Sequence, residues 1–367
     1  MNDHNSKYIN NILDQKTLSA RTRNANILKY TRIITFLKNN NILLNNFHKI
    51  ILLNPNVISS IKYFISLQSQ ASRDGYVSLL TTIIAPDKKN IDKNYIQLKE
   101  QLTNYFYKLR TEYRGKDGQK KSKNQKNNWI GYNKLVKLNK TLTKTFKQFK
   151  LNRSLLSNYS KSKTNFYKNI IEKSFFDYAF YVALNIHLKY PLRLEIGDCI
   201  VCSWKDIKHL PEDELNNNVY LINSKKKKKT LFMGKNSRKN KMKKHFELEL
   251  PVDLCNIINV YITMRNILMN PTDPKKIKDD AFLPLFFQST KKDKFALSTG
   301  LTKNNYSKML SRYFKKYLNK KITATLIRQI SVSHFRAGEK SEKEKEQLAI
   351  IMNNSVEVQT KHYLKFD

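Results

Sequence analysis

The chain has 367 residues, and 69 Lys+Arg against 29 Asp+Glu give it a formal net charge of +40. That balance argues against an ordinary neutral metabolic enzyme and points to a polyanionic partner, because fixed cations release counterions from nucleic acid on contact. A hydrophobic share of 40%, with 20 Tyr and 19 Phe, excludes a chain disordered throughout and is ample for one or two cores.

The segment Met1 to Asn10 is polar, with no apolar core for a signal peptide, and no run approaches bilayer length. A soluble intracellular protein is therefore expected. Residues 15–112 read as mostly helical, in keeping with only 8 Gly and 8 Pro in the chain. Ser19 is placed to cap a helix carrying Ile27, Leu28, Tyr30, Ile33, Ile34 and Leu37. Further helices are predicted over Val57 to Leu67, Arg73 to Ile84 and Tyr95 to Tyr113, with Asn-Pro and Ala-Pro breakers at Pro55 and Pro86. Such a unit fits a DNA-clamping domain and fits equally a small bundle with a solvated basic face.

Residues 114–128, RGKDGQKKSKNQKNN, contain no apolar side chain and read as a basic linker. The domain organisation expected is thus 1–113, a linker over 114–128, and 129–367, where Trp129 opens a new apolar pattern. An apolar helix over 173–190 ends at Pro191. The period then shortens. Cys199 to Trp204, Asn218 to Asn223, Thr230 to Met233 and Phe246 to Leu250 read as strands, the last three consecutive and antiparallel, with Lys225 to Lys229 turning between the first two of them. Cys199 and Cys202 form a C-x-x-C pair with no second pair to complete a zinc site, and they read as small buried strand residues. With Cys255 they make three cysteines, too few for a disulfide framework.

Helical patterns return at Asp253 to Met269, Ser307 to Leu318, Ala324 to Phe335, Lys345 to Met352 and Val356 to Phe366. The fold class expected is mainly α with a small antiparallel sheet, an α+β second domain behind a helical first one. The charge is uneven: residues 118–171 hold 14 Lys+Arg, 215–246 hold 11 and 294–338 hold 10, all three without a single Asp or Glu. Contacts to about ten phosphates would give a log–log salt slope near −9 on duplex DNA.

The C-terminal segment ATLIRQISVSHFRAGEKSEKEKEQLAIIMNNSVEVQTKHYLKFD resembles the signature of the tyrosine recombinase (phage integrase) family. Arg328 takes the place of the second catalytic arginine, and His334, six residues on, matches a His often found there. Met352-Asn353-Asn354-Ser355 stands where the family has Met-Gly-His-Ser, and nine residues after Asn354 comes Tyr363, in the place of the nucleophile. Upstream, Tyr190-Pro191-Leu192-Arg193-Leu194-Glu195 is similar to the segment carrying the first catalytic arginine, so Arg193 takes that role. Thr230 to Pro251 resembles the hairpin that supplies the catalytic lysine, with Lys235 the best match and Lys239 the alternative. The N-terminal helices look like the family's core-binding domain, and Asn128-Trp129 with the following helix resembles the start of the catalytic domain in integrases of large DNA viruses and their mobile elements.

The resemblance implies a site-specific recombinase. A Tyr hydroxyl attacks a phosphodiester and leaves a 3'-phosphotyrosyl intermediate, two planar guanidiniums fork onto the phosphate oxygens, and a lysine protonates the leaving oxygen. It implies no metal and no cofactor, double-stranded DNA as partner, a homo-oligomer (tetramer) on DNA, and no membrane. The nucleus or a viral replication site would be its location in a eukaryotic virus. Lys225, Lys226, Lys227, Arg238, Lys239 and Lys241 are the expected DNA contacts in the hairpin region. Two positions depart from the family: Thr325 replaces the His three residues before Arg328, and Asn354 replaces the His of the turn. Both can hydrogen-bond a phosphate, but neither can shuttle a proton at neutral pH. A catalytically weak or inactive DNA-binding protein of the same fold is therefore the alternative. With four residues after Tyr363, either the tyrosine segment is exchanged between protomers or assembly depends on other contacts.

Overall fold

A computed structural model describes residues 3–14, 20–42, 54–68, 70–84, 96–97, 100–101, 103–105, 119–147, 164–223, 228–234, 245–269, 282–288, 296–338, 340–352 and 354–366. The chain separates into two compact units, Met1–Gly118 and Gln119–Asp367.

The first unit contains helices α1 (Asp3–Asp14), α2 (Ala20–Asn39), α3 (Pro55–Ser66) and α4 (Gln70–Ile84). The first of these lies in the polar N-terminal stretch, where no helix was expected; Ile9 and Leu13, four apart, give it a buried face. On α2, Tyr30, Ile33, Ile34 and Leu37 enter the core, whereas Leu28 is 53% exposed. The Asn-Pro breaker acts as a helix start: Asn54 accepts from the Asn56 amide and Pro55 occupies the first helical position, where its missing N–H costs nothing. Ser19, Pro86 and most of the helix expected over Tyr95 to Tyr113 lie outside the described residues.

The second unit starts earlier than residue 129. Residues 119–128 belong to it, and Lys123–Asn128 is a helix, α5, not linker. The reason is local: Ser122 and Gln125 form a reciprocal capping box, an S-x-x-Q pattern that nucleates a turn without any apolar side chain. Helix α6 (Tyr132–Thr145) follows, then α7 (Thr164–Lys189), in which every residue from Tyr178 to His187 is buried. A helix apolar on all sides belongs at the centre of a core, and α10 (Val252–Met269), α11 (Lys303–Leu318) and α12 (Ala324–Arg336) surround it.

Between α7 and α10 lie β1 (Ile200–Ser203), the short helices α8 (Trp204–Lys208) and α9 (Glu212–Asn217), β2 (Val219–Asn223), β3 (Lys229–Met233) and β4 (Phe246–Glu249). With β5 (Leu283–Pro284) they form a sheet of order β4-β3-β2-β1-β5. The β2-β3-β4 meander is antiparallel as expected, but β1 pairs parallel to β2, so the sheet is mixed. The α8–α9 crossover makes this possible, and it starts because Ser203 forms a capping box with Asp206 and turns Trp204 into a helix. One sheet face, with Val201, Val219, Leu221, Leu231 and Met233, joins the main core. The other, with Cys202, Tyr220, Ile222 and Phe232, packs on Ile207 of α8. Cys199 and Cys202 thus serve different faces, both buried, and burial raises both thiols, Cys202 to about 12. A two-stranded ribbon of β6 (Phe287–Gln288) and β7 (Ala296–Gly300) precedes α11.

The chain closes with α13 (Glu342–Ile351), α14 (Val356–Val358) and a π turn over Gln359–Tyr363. The helix expected to reach Phe366 stops at Tyr363, because Leu364 turns extended and Phe366 makes a bridge to Lys120. No helix among the described residues is long and apolar enough to cross a membrane.

Candidate functional site

Four of the residues singled out in the sequence, Arg193, Arg328, Asn354 and Tyr363, come together in the second unit. Arg193 caps the 3₁₀ turn Leu194–Asp198 that follows α7. This turn lies close against α11: a Cβ on Gly197 would sit 2.6 Å from Cβ of Tyr306, so only glycine allows the approach. The Arg193 side chain then reaches across 161 positions of sequence, donating from Nη2 to Oδ1 of Asn354 at 2.6 Å.

Arg328 projects from the middle of α12 and is 1% exposed. Its Nη1 donates to the carbonyl of Pro191 at 2.5 Å and its Nη2 to the carbonyl of Met352 at 3.2 Å. One guanidinium thereby ties the Arg193 segment to the Asn354 segment. Burial pulls the Arg328 pKa below the ordinary guanidinium value; neighbouring Tyr363 opposes that shift and Arg193 adds to it. The guanidinium stays charged, 4.6 Å from the centre of the Tyr363 ring. Behind it, His187 of α7 is fully buried, with Nε2 3.1 Å from the Tyr306 hydroxyl. Burial first and Arg328 second lower the His187 pKa to about 3, so the imidazole is neutral and adds no second buried charge.

Among the described residues, the buried side-chain donors without a hydrogen-bond partner include Arg193 Nε, Arg328 Nε and Asn354 Nδ2. A desolvated donor left unpaired costs about 1–3 kcal/mol. Three on neighbouring residues, two of them guanidiniums, suit an anion with several oxygens. The Tyr363 hydroxyl is the nucleophilic group on hand beside them. It is carried by a π turn, closed by the Leu364 amide on the Gln359 carbonyl at 3.0 Å, a distortion often found where a side chain is re-aimed.

Other expected residues are placed differently. Thr325 is one turn before Arg328, exposed, with no side-chain hydrogen bond among the described residues. His334 stacks on Tyr132 at 4.5 Å instead of joining the arginines. Lys225, Lys226, Lys227, Lys235, Arg238, Lys239 and Lys241 lie outside the described residues. Their anchors are described: Gly234 is wedged against the Leu215 carbonyl, where a Cβ would come to 2.1 Å, and its amide donates to Asn218 O at 3.0 Å. Gly234 thus marks a fixed point at the end of β3.

Part of the acid-free basic stretch over 118–171 takes shape as the outer face of α6. Lys134, Lys137, Lys140 and Lys144 are exposed opposite buried Leu135, Leu138 and Leu142, and Lys147 extends the row. Lysines spaced three and four apart, with no acid among them, were the available signal. Tyr132 joins the start of α6 to the α12 helix through His334. No protein-family model and no curated protein matches the sequence.

Proposed function

We propose that the protein breaks and rejoins DNA strands as a site-specific recombinase of the tyrosine type, with integration of a viral or mobile genome as its use. The reading is carried by one observation: Arg193, bonded to Asn354, and Arg328, 4.6 Å from the Tyr363 ring, belong to one cluster in which each of the three residues keeps a buried donor without a hydrogen-bond partner among the described residues. A scissile phosphate there would be gripped by the two guanidiniums through its non-bridging oxygens, with the Asn354 amide as a third donor. The Tyr363 hydroxyl gives up its proton to solvent water as its oxygen forms a bond to phosphorus, the bond from phosphorus to the 5'-oxygen breaks, and a 3'-phosphotyrosyl ester remains. The leaving oxygen takes up a proton, for which Lys235 is the assigned donor, and attack by a 5'-hydroxyl reverses the step on a new partner. The α6 lysines and the basic hairpin would run along the duplex backbone, and a tetramer on DNA is the proposed assembly.

A second reading has its own support. Thr325 and Asn354 occupy the positions where a proton-transferring His is expected, and neither carries a titratable group. A protein that grips DNA without cutting it would keep the arginines and tolerate this loss. A nicked suicide duplex, selected by binding from a randomised pool, separates the two. The recombinase forms a covalent protein–DNA adduct that disappears in Tyr363→Phe. Tight binding without an adduct from the unaltered protein establishes the second reading instead.

A further inference from the structure

The segment that carries Tyr363 is held by the segment that opens the second unit. The Phe366 amide donates to the Gln119 carbonyl at 3.0 Å, and the Lys121 amide donates back to the Phe366 carbonyl at 3.2 Å, pairing Lys120 with Phe366 in parallel register. The Gln119 side chain adds a bond from Nε2 to the Thr360 carbonyl, inside the π turn, at 3.0 Å. A second chain of amides runs alongside. Gln125 Nε2 donates to Gln329 Oε1 at 2.8 Å, and Gln329 Nε2 donates to the His362 carbonyl at 3.4 Å. Gln329 is 8% exposed and directly follows Arg328 on α12, while His362 directly precedes Tyr363. Three amide side chains thus link the entry segment, the arginine helix and the backbone that flanks Tyr363.

We infer that residues 119–125 form a strap that seats Tyr363 against Arg328 of the same chain, with Gln119, Gln125 and Gln329 as its positioning residues. The inference rests on the reading of Tyr363 as a nucleophile for its consequence in catalysis, but the seating itself is a property of the free protein. Its physical basis is that residues 362–366 are half-buried or exposed and enter no core cluster. Phe366 is 52% exposed, and the π turn between Gln359 and Tyr363 has little buried apolar surface of its own. Directional backbone and amide bonds are what fix the aim of the ring.

The test uses the full chain with 3-fluorotyrosine at position 363, read by fluorine NMR and, in parallel, by adduct formation on the suicide duplex. Three variants are compared: Gln119→Ala, Gln125→Ala, and a chain truncated after Lys365, which removes the pairing without removing a core side chain. The inference predicts that the 363 signal shifts toward that of an exposed fluorotyrosine in all three, with the melting transition kept. It also predicts that adduct formation slows about tenfold, the scale for losing one or two net hydrogen bonds, at unchanged DNA affinity. Gln125→Glu, which keeps an acceptor but loses the donor to Gln329, should behave like Gln125→Ala. An unmoved fluorine signal in the truncated chain and in Gln119→Ala overturns the inference, whatever the enzyme does. If the signal moves but no variant, nor the parent, forms an adduct, the strap stands and the recombinase reading falls. A Lys120→Cys, Phe366→Cys disulfide supplies the converse: oxidation should preserve the signal and adduct formation, and loss of the adduct on oxidation, recovered on reduction, would overturn the claim that the seated state is the working one.

Discussion

Arg328 and Tyr363 face each other across 4.6 Å, yet the protein holds them by opposite means. Arg328 sits in the floor of the site, on a helix buried along the core, clamped by two carbonyls and backed by His187 and Tyr306. Tyr363 sits on the rim, on a five-residue π turn whose bonds run to an entry strand and two glutamines. The floor is set by packing and is fixed wherever the second unit is folded. The rim is set by a few directional bonds and can be loosened without unfolding anything. Under the proposed function, the anion grip would therefore be preformed and the nucleophile would be the adjustable part.

The sharpest way to break that contrast is to remove the floor. Arg328→Met should leave the Pro191 and Met352 carbonyls without their charged donor and cost the second unit about 3 kcal/mol, since hydrogen bonds to charged groups contribute about 1.5–3 kcal/mol each. Denaturant titration of the full chain, with one transition for each unit, reads this loss; an unshifted second transition would contradict the clamped floor.

Acid attacks the same floor from behind. The pKa of His187 is lowered from 6.5 to about 3 in the folded chain by burial and by Arg328, so the unfolded state takes up a proton first as pH falls. Its contribution to stability is complete above about pH 6.5 and is lost as pH drops toward 3, reaching about 2 kcal/mol at pH 5. His187→Gln should flatten that limb of the stability curve. Equal acid slopes in parent and variant would place the sensitivity elsewhere.

The seam between floor and rim is the bond from Arg193 to Asn354. Asn354→Asp converts it to an ion pair and puts a negative charge where a phosphate would lie. DNA affinity should fall about tenfold at low salt, equivalent to about 1.4 kcal/mol, as read by fluorescence anisotropy. Asn354→Ala should fall by less. The smallest effect is expected on the rim: Ser333→Ala removes the acceptor of the Lys365 amide, a 2.9 Å bond, and should cost about 0.5–1 kcal/mol. Hydrogen exchange at residues 364–366 should speed up while that of α12 stays constant.

The helices were legible because α7, α10, α11 and α12 carry apolar residues at spacings that core burial demands; two of their starts were not, since α7 begins at Thr164 instead of residue 173 and α11, capped by Thr302, at Lys303 instead of Ser307. The meeting of Arg193, Arg328, Asn354 and Tyr363 was legible only as a set of positions resembling a known order. Nothing in the local sequence says that Arg193 and Asn354 touch. The parallel pairing of β1 with β2 was hidden because side-chain alternation is the same in either direction. The β5 and β6 strands are two residues each, too short to show a period at all. The entry segment misled because its order comes from Ser122 and Gln125 and from backbone paired with residue 366, none of which leaves an apolar trace. The lysines expected at the hairpin fall outside the described residues, whereas those on α6 form an exposed basic face.

The contact between Gly197 and Tyr306 has a consequence for alignment. The 3₁₀ turn bearing Arg193 takes its position from Tyr306, and the same Tyr306 hydroxyl fixes His187 behind Arg328. Both guanidiniums are thus surveyed from one benchmark on α11, although they lie 135 positions apart in the chain. A methyl group at position 197 would move that benchmark and shift the two together, putting the pair out of true with Tyr363 while leaving each arginine intact.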